Sequence, residues 1–218
     1  MQKLLIYGAS GLGREILDMI NDIYLNNDKY EISGFLDDGI SPGTIIDDLP
    51  VLGGLSYLEN TTVHYSIVFA VADTKNKENL YNKIIKMGDR FSFPSIIHPS
   101  SAVSKRVQLG EGVIISRFCW VTSDTKLGKF VFLNTRCDIG HDAVIGDFCS
   151  LMPSVNVSGN VTVGQRTLIG VQSAILQGIK IGSDVTVGMG SKVMADVPDN
   201  CTVMGYPAKI IARHEPKE

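Results

Sequence analysis

His141 is followed directly by Asp142. An imidazole changes charge near neutral pH, and a carboxylate beside it can orient the ring and support its cation. The pair therefore has the makings of a general base. A solvated turn carries the same two residues, so the pair alone does not decide between the readings. A second cluster is Gly8-Ala9-Ser10-Gly11-Leu12-Gly13, which follows the apolar run Leu4-Leu5-Ile6-Tyr7, with Asp37-Asp38 closing a later apolar run. A glycine turn that opens a helix presents backbone amides to phosphate, and an acid at the end of the second strand suits a ribose hydroxyl. The spacing is G-x-x-G-x-G rather than the dinucleotide G-x-G-x-x-G, so a turn needed only for packing competes with nucleotide binding. Likewise, Asp37-Asp38 could belong to a solvated loop. The other histidines, His64, His98 and His214, read as structural or incidental. Cys119, Cys137, Cys149 and Cys201 show no C-x-x-C spacing and no histidine at metal-site spacing, so no metal is expected.

A repeat sets the position of His141. From Ile97 to Val193 every sixth residue is Leu, Ile or Val, seventeen in a row without a slip. Against ordinary residue usage the chance of this is on the order of 10⁻¹⁰. Four residues after each comes a small or β-branched residue, among them Cys119, Thr125, Cys137, Ala143, Cys149 and Val155. The two series lie two residues apart along a strand and face the same way. A period of six fits neither a 3.6-residue helix nor a plain sandwich. Three hexads to a coil make a triangular prism with both series inside. Glycine often follows the large residue, as at Gly110, Gly128, Gly140, Gly146, Gly164, Gly170, Gly182 and Gly188. This reads as a corner that needs unusual backbone angles. Cys119, Cys137 and Cys149 fall on the inward series, and their expected role is packing. His141 comes two residues after inward Ile139, which puts it at a corner outside the core.

Residues 1–95 have a different texture. The expected elements are a strand over 4–7, a helix over 14–26, strands over 32–36 and 66–71, and a helix over 76–86. This is β-α-β-α-β, half of a doubly wound sheet. The expected domains are 1–95, Rossmann-like, and 96–218, a parallel β-helix of hexapeptide repeats with a C-terminal tail. The composition, 44% hydrophobic with a net charge of −3, supports a sizeable core and gives no basic field for nucleic acid or anionic lipid. The opening apolar run is too short for a signal peptide or a membrane span, and a cytoplasmic protein is expected.

Over nearly the whole chain, a set of motifs adds to this reading. They are Gly8-Ala9-Ser10-Gly11, Asp37-Asp38, Ile97-His98-Pro99, Asn134, Gly140-His141-Asp142, Ile145-Gly146-Asp147-Phe148, Ser158-Gly159-Asn160 and Gly205-Tyr206-Pro207-Ala208-Lys209. Together they resemble the bacterial sialic acid O-acetyltransferase and nucleotide-linked amino-sugar N-acetyltransferase family. The resemblance implies a left-handed β-helix and a homotrimer with active sites between neighbouring helices. Acetyl-CoA would lie along the helix, and a nucleotide sugar would be held by the front domain. His141 would be the base, with Asp142 orienting it. The amide of Gly159 would face the thioester carbonyl, and Asn134 would belong to the same pocket. Lys180 and Met189 are expected beside the coenzyme. Ser10, Gly11, Leu12, Asp37, Asp38, Ala72 and Asp73 are expected beside the nucleotide sugar. Two departures stand out: some members carry a second active-site histidine where this chain has Ser150, and Leu12 replaces a histidine common in the glycine turn.

The leading expectation is an acetyl-CoA-dependent N-acetyltransferase acting on the amine of a UDP- or dTDP-linked amino-deoxy sugar for surface polysaccharide or glycan synthesis. Direct attack by the amine needs no acyl-enzyme, and no activated cysteine or serine nucleophile stands out. O-acetylation of sialic acid or another sugar hydroxyl is the near alternative. A non-catalytic scaffold that binds nucleotide sugars is another, against which His141-Asp142 argues. A dinucleotide oxidoreductase would need a second half-domain.

Overall fold

In the computed structural model, which describes residues 1–24 and 29–215, Leu4, Leu5, Ile6 and Tyr7 are all buried within strand β1 (Gln2–Tyr7). A continuous apolar run of this kind is what a parallel sheet covered on both faces selects. Helix α1 (Gly11–Tyr24) follows and buries Ile16, Leu17, Met19 and Ile20 on one side. The expected helix end at Asn26 lies outside the described residues. Next come β2 (Tyr30–Leu36), β3 (Ile45–Ile46), β4 (Leu49–Gly53), α2 (Leu55–Asn60), β5 (Tyr65–Phe69), α3 (Thr74–Ile84) and β6 (Phe91–Ser92).

The sheet order is β3-β4-β2-β1-β5-β6. Every pairing is parallel except β3 with β4. The chain steps from β1 out to β2 and β4, then returns to β5 on the other side of β1. The order therefore reverses at β1, and the carboxyl ends of β1, β2 and β5 frame a crevice of the kind in which open α/β sheets hold ligands. The fold is Rossmann-like, but the three-strand reading falls short by β3, β4, α2 and β6. The missed strands are very short or, in β4, contain Pro50 and end at Gly53, signals that usually demote a strand.

The chain divides into two compact units, one of residues 1–72 and 76–95, the other of residues 73–75 and those from Ile96 on. In the second unit, seventeen two-residue strands run from β7 (Ile96–Ile97) to β23 (Lys192–Val193), followed by β24 (Cys201–Gly205) and β25 (Ala208–Arg213). The seventeen short strands fall in three sheets in which each pairs in parallel with the strand eighteen residues away, for example Asp138↔Asn156 and Val144↔Thr162, while β25 pairs antiparallel with β24 at the end of one sheet. Three hexads thus make one coil, and the unit is a left-handed parallel β-helix. The strands starting at Ile96, Ile114, Phe132, Ser150, Leu168 and Thr186 make the first face. Those at Ala102, Trp120, Asp138, Asn156, Ala174 and Lys192 make the second, and those at Gln108, Lys126, Val144, Thr162 and Lys180 the third. Backbone amides bond straight up the stack, as from Gly140 N to the Val157 carbonyl at 2.7 Å.

Two expectations need correction. The large hexad residues are buried from Ile115 onward, but Ile97 and Val103 are only partly buried and Leu109 is 37% exposed. These three belong to the first coil, which has no preceding coil to close its end. The second correction concerns the glycines after the large residues, which do not adopt left-handed angles. The left-handed position is two residues later, held by Phe118, Asp124, Asp142 and Asn160, among others, at φ between 57° and 61°. The glycines serve close approach instead. A Cβ on Gly146 would sit 2.7 Å from the backbone nitrogen of Gln165, and one on Gly140 would strike that of Gly159. The coils stack too closely at this place for a side chain.

Candidate active site

His141 and Asp142 form the turn between the second-face strand Asp138–Ile139 and the third-face strand Val144–Ile145. Ile139 and Ile145 anchor the turn in the core at 1% exposure each, while both turn side chains project outward and are more than half exposed. Asp142 takes the left-handed angle, φ 59°, which a short polar side chain tolerates well. Its Oδ2 lies 2.8 Å from His141 Nδ1. A carboxylate can only accept, so Nδ1 carries the proton it donates, and Nε2 of the neutral ring keeps its lone pair. Gly159 is stacked one coil on, eighteen residues later. A Cβ there would meet His141 Nε2 at 2.6 Å, Cε1 at 2.7 Å and Cδ2 at 3.1 Å. The imidazole therefore lies across the bare α-carbon of Gly159, which gives the ring a shelf. The arrangement can accept a proton from a group brought to the corner.

The first unit holds a cavity of about 430 Å³ at its switch point. Its walls include Tyr7 and Gly8 from the end of β1, Asp37, Asp38 and Gly39 after β2, Leu55 of α2, Val71, and one side of α3. Asp37 accepts from the amides of Ala9 at 3.0 Å and Gly39 at 2.9 Å. Asp38 accepts from the Leu55 amide at 2.9 Å and the Tyr7 hydroxyl at 2.6 Å. Burial first, then the bond to Asp38, pushes the Tyr7 hydroxyl well above the ordinary tyrosine range, so it remains a donor. The glycines of the turn divide by cause. Gly8 has φ +111° and its Cβ would lie 2.5 Å from the Ala70 carbonyl oxygen, while a Cβ on Gly13 would collide with the Gly8 carbonyl. Packing requires these two. A Cβ on Gly11, at the first position of α1, would meet nothing within 4 Å.

A family model described as the PglD N-terminal domain matches residues 3–84. No curated protein matches the chain. Among solved structures, WeeI from Acinetobacter baumannii AYE is 30% identical, with a TM-score of 0.87 over 97% of this chain and 100% of its own. The chain belongs to the PglD-type family of hexapeptide-repeat sugar acetyltransferases. This acyltransferase family member is also 28% identical, at a TM-score of 0.87, to the acetyltransferase domain of PglB from Neisseria gonorrhoeae FA1090, over 97% of this chain and 100% of that one. The same identity and TM-score hold for PerB from Caulobacter crescentus, solved in complex with CoA and GDP-perosamine, over 97% of this chain and 98% of that one.

In this acyltransferase, only part of the expected site comes together within one chain. His141, Asp142 and Gly159 share one corner. Lys180 opens a strand on the adjoining third face. Met189 is 71% exposed but sits at the corner between the first and second faces, a different edge of the prism. Asn134 lies at that same edge, with its Oδ1 accepting from the Thr135 amide at 2.7 Å. Ser150 is fully buried on the first face and does not join His141. In the front unit, Asp37 and Asp38 line the cavity, while Ser10, Gly11, Leu12 and Ala72 do not. Asp73 falls in the second unit, beside Arg166 and Asp184. The sequence reading missed Tyr7, Leu55 and the α3 side of the cavity, Asn76, Asn79, Leu80 and Lys83. Their i, i+3, i+4, i+7 spacing was the available signal, though it marks a helix face without saying what that face meets. His98 is 8% exposed and its Nδ1 lies 2.7 Å from Ser100 Oγ; His214 pairs through Nε2 with Thr202 Oγ1 at 2.8 Å. Among the described residues, no helix is long and apolar enough to cross a membrane.

Proposed function

We propose that this protein transfers the acetyl group of acetyl-CoA to the amine of a nucleotide-linked amino-deoxy sugar, with His141 as the base. One observation carries the reading: an exposed imidazole tied through Nδ1 to Asp142, with Nε2 held against Gly159. The sugar amine attacks the thioester carbonyl carbon and forms the new C–N bond, and the C–S bond then breaks to release CoA as its thiolate, which takes up a proton as it leaves. His141 Nε2 takes the proton the nitrogen sheds, and Asp142 supports the resulting imidazolium. The Gly159 amide is the donor assigned to the carbonyl oxygen as negative charge builds there. Cys119, Cys137, Cys149 and Cys201 are all buried, which disfavours an acyl-cysteine route.

The front cavity supports the nucleotide half of the proposal. It lies at the switch point, offers fixed carboxylates for ribose hydroxyls and stands beside a helix start whose Gly11 leaves room for a phosphate. The CoA and GDP-perosamine bound to PerB, itself named a perosamine N-acetyltransferase, favour an amine over a hydroxyl acceptor. They also add GDP to the UDP and dTDP carriers that the sequence reading favours. We infer further that three copies assemble, with Lys180 and Met189 meeting the coenzyme from different chains. The exposed Phe118, Trp120 and Met189 are apolar surface for such contacts. Light scattering should then give about three times the 23.7 kDa chain mass, and an active monomer would refute a shared site.

The deciding experiment offers acetyl-CoA with UDP-, dTDP- and GDP-linked amino sugars and with free and nucleotide-linked sialic acid, and identifies the acetylated atom by NMR. An N-acetyl product on a nucleotide sugar is expected. Transfer only to a hydroxyl, or to none of the panel, would overturn the proposal.

A further inference from the structure

The cavity in the first unit has a charge problem that points to a residue with no role so far. Two carboxylates, Asp37 and Asp38, stand on one wall. Each of their oxygens accepts one hydrogen bond from the protein, so both carboxyl groups are fixed in place. Such a wall suits hydroxyl groups, which can donate to the remaining lone pairs. It repels a phosphate, which has no proton to give near neutral pH and brings like charge. The helix-start amides beside the cavity, at Gly11, can receive one phosphate, but a nucleoside diphosphate brings two, and the second calls for a cation on some other wall.

Among the described residues lining the cavity, Lys83 is the single Lys or Arg. It stands in the last turn of α3 and forms no ion pair among the described residues. The helix phase makes its place on the wall more than incidental. Asn76, Asn79, Leu80 and Lys83 follow the i, i+3, i+4, i+7 pattern and all four line the cavity. Together they present one side of α3 to it over about 10 Å, at 1.5 Å per residue, comparable with the length of a nucleoside diphosphate. That side carries two amides, an apolar residue and an ammonium. With Leu55 and Val71 it supplies an apolar contact for a base, donors and acceptors for its edge, and one positive charge.

We propose that Lys83 is the phosphate-binding cation of this cavity and takes the diphosphate of the bound nucleotide, opposite the hydroxyl-binding Asp37 and Asp38. The assignment rests on the nucleotide reading of the cavity and goes beyond it in naming the group that Lys83 meets. Lys83 makes no contact with the reacting amine in this scheme. Its removal should raise the KM for the nucleotide sugar and leave kcat and the KM for acetyl-CoA unchanged.

The test is titration calorimetry on the full chain with UDP, dTDP and GDP and with uridine, thymidine and guanosine. The wild type should bind at least one diphosphate more tightly than its nucleoside. In Lys83→Met, affinity for that diphosphate should fall about 10–100-fold, the usual worth of a hydrogen bond to a charged group, while nucleoside affinity stays the same. Lys83→Arg should restore most of the loss. An unchanged diphosphate affinity in Lys83→Met overturns the proposal. So does an equal loss for nucleoside and diphosphate, because Lys83 would then meet the base or the ribose. A wild type that binds none of the six would instead sink the nucleotide reading on which the proposal rests. Thermal melts of each variant identify any loss caused by unfolding.

Discussion

Replacing Gly159 with alanine tests the shelf under the His141 imidazole. The new Cβ would stand 2.6 Å from His141 Nε2, and ordinary contact begins near 3.4 Å, so the ring must retreat by about 0.8 Å. The three atoms nearest the added methyl all belong to that ring, and the side chain is 58% exposed, so it has room to swing away. Gly159 does not use a left-handed backbone angle, so alanine adds no strain there. Stability should therefore stay within about 1 kcal/mol of the wild type, helped by the lower chain entropy of alanine in the unfolded state. Catalysis should suffer far more. A displacement approaching 1 Å costs about 10²-fold where geometry is critical, and the upper bound is the whole worth of the base, about 10²–10⁴-fold. The assay is kcat at saturating acetyl-CoA and sugar nucleotide, with a thermal melt beside it. The same substitution in a His141→Ala background should cost little, since no ring is left to displace. Full turnover in Gly159→Ala, or an equal loss in both backgrounds, would refute the shelf.

Three further outcomes are expected. Ile145→Asp places an unpaired carboxylate inside the prism at a position only 1% exposed, and chemical denaturation should show a loss of several kcal/mol. Asp184 accepts from Arg166 at 2.7 and 3.0 Å, and that bond, ahead of the opposing effect of burial, holds its carboxyl below the usual 3.8. A depressed carboxylate stabilises the fold above its unfolded pKa and loses that contribution as pH falls through the folded value. Asp184→Asn should therefore cost about 1–2 kcal/mol at pH 7 and narrow toward the wild type below pH 4, read from melting curves across pH; a gap independent of pH would contradict this. Gly11→Val should fold normally, because nothing of the protein stands where its Cβ would go, yet raise the nucleotide-sugar KM much more than the acetyl-CoA KM. Gly13→Val, which collides with the Gly8 carbonyl, should fail to fold in the same melt.

The parts of the molecule differ in how far they could be read from sequence, for physical reasons. The prism was legible because each inward residue is forced by the same geometry eighteen residues before and after it, as Ile139 and Val157 are. The corner of His141 followed from that phase. The reason for the corner glycines did not, because steric approach between coils and a left-handed turn leave the same residue in the sequence. Only the stacked backbone of Gln165 over Gly146 separates the two causes. In the front unit, β1 and the glycine turn stood out because burial on both faces and a helix start leave strong local marks. The strand Leu49–Gly53 did not, since a short segment containing a proline is held by its neighbours rather than by its own composition. The α3 wall of the cavity was hidden for a related reason. A polar helix face looks the same whether it meets solvent or a ligand, and Asn79 and Lys83 gain their meaning from the crevice that strand order creates.

The central claim is that His141 removes the proton of the attacking amine. Its most direct test is the turnover number of His141→Ala at saturating acetyl-CoA and sugar nucleotide, alongside a melting curve. The loss should be about 10²–10⁴-fold with an unchanged melt, since the side chain lies outside the core. Asp142→Asn should cost less, because the imidazole stays in place. A His141→Ala enzyme that keeps most of its turnover would contradict the account and send the proton from an already neutral amine directly to water.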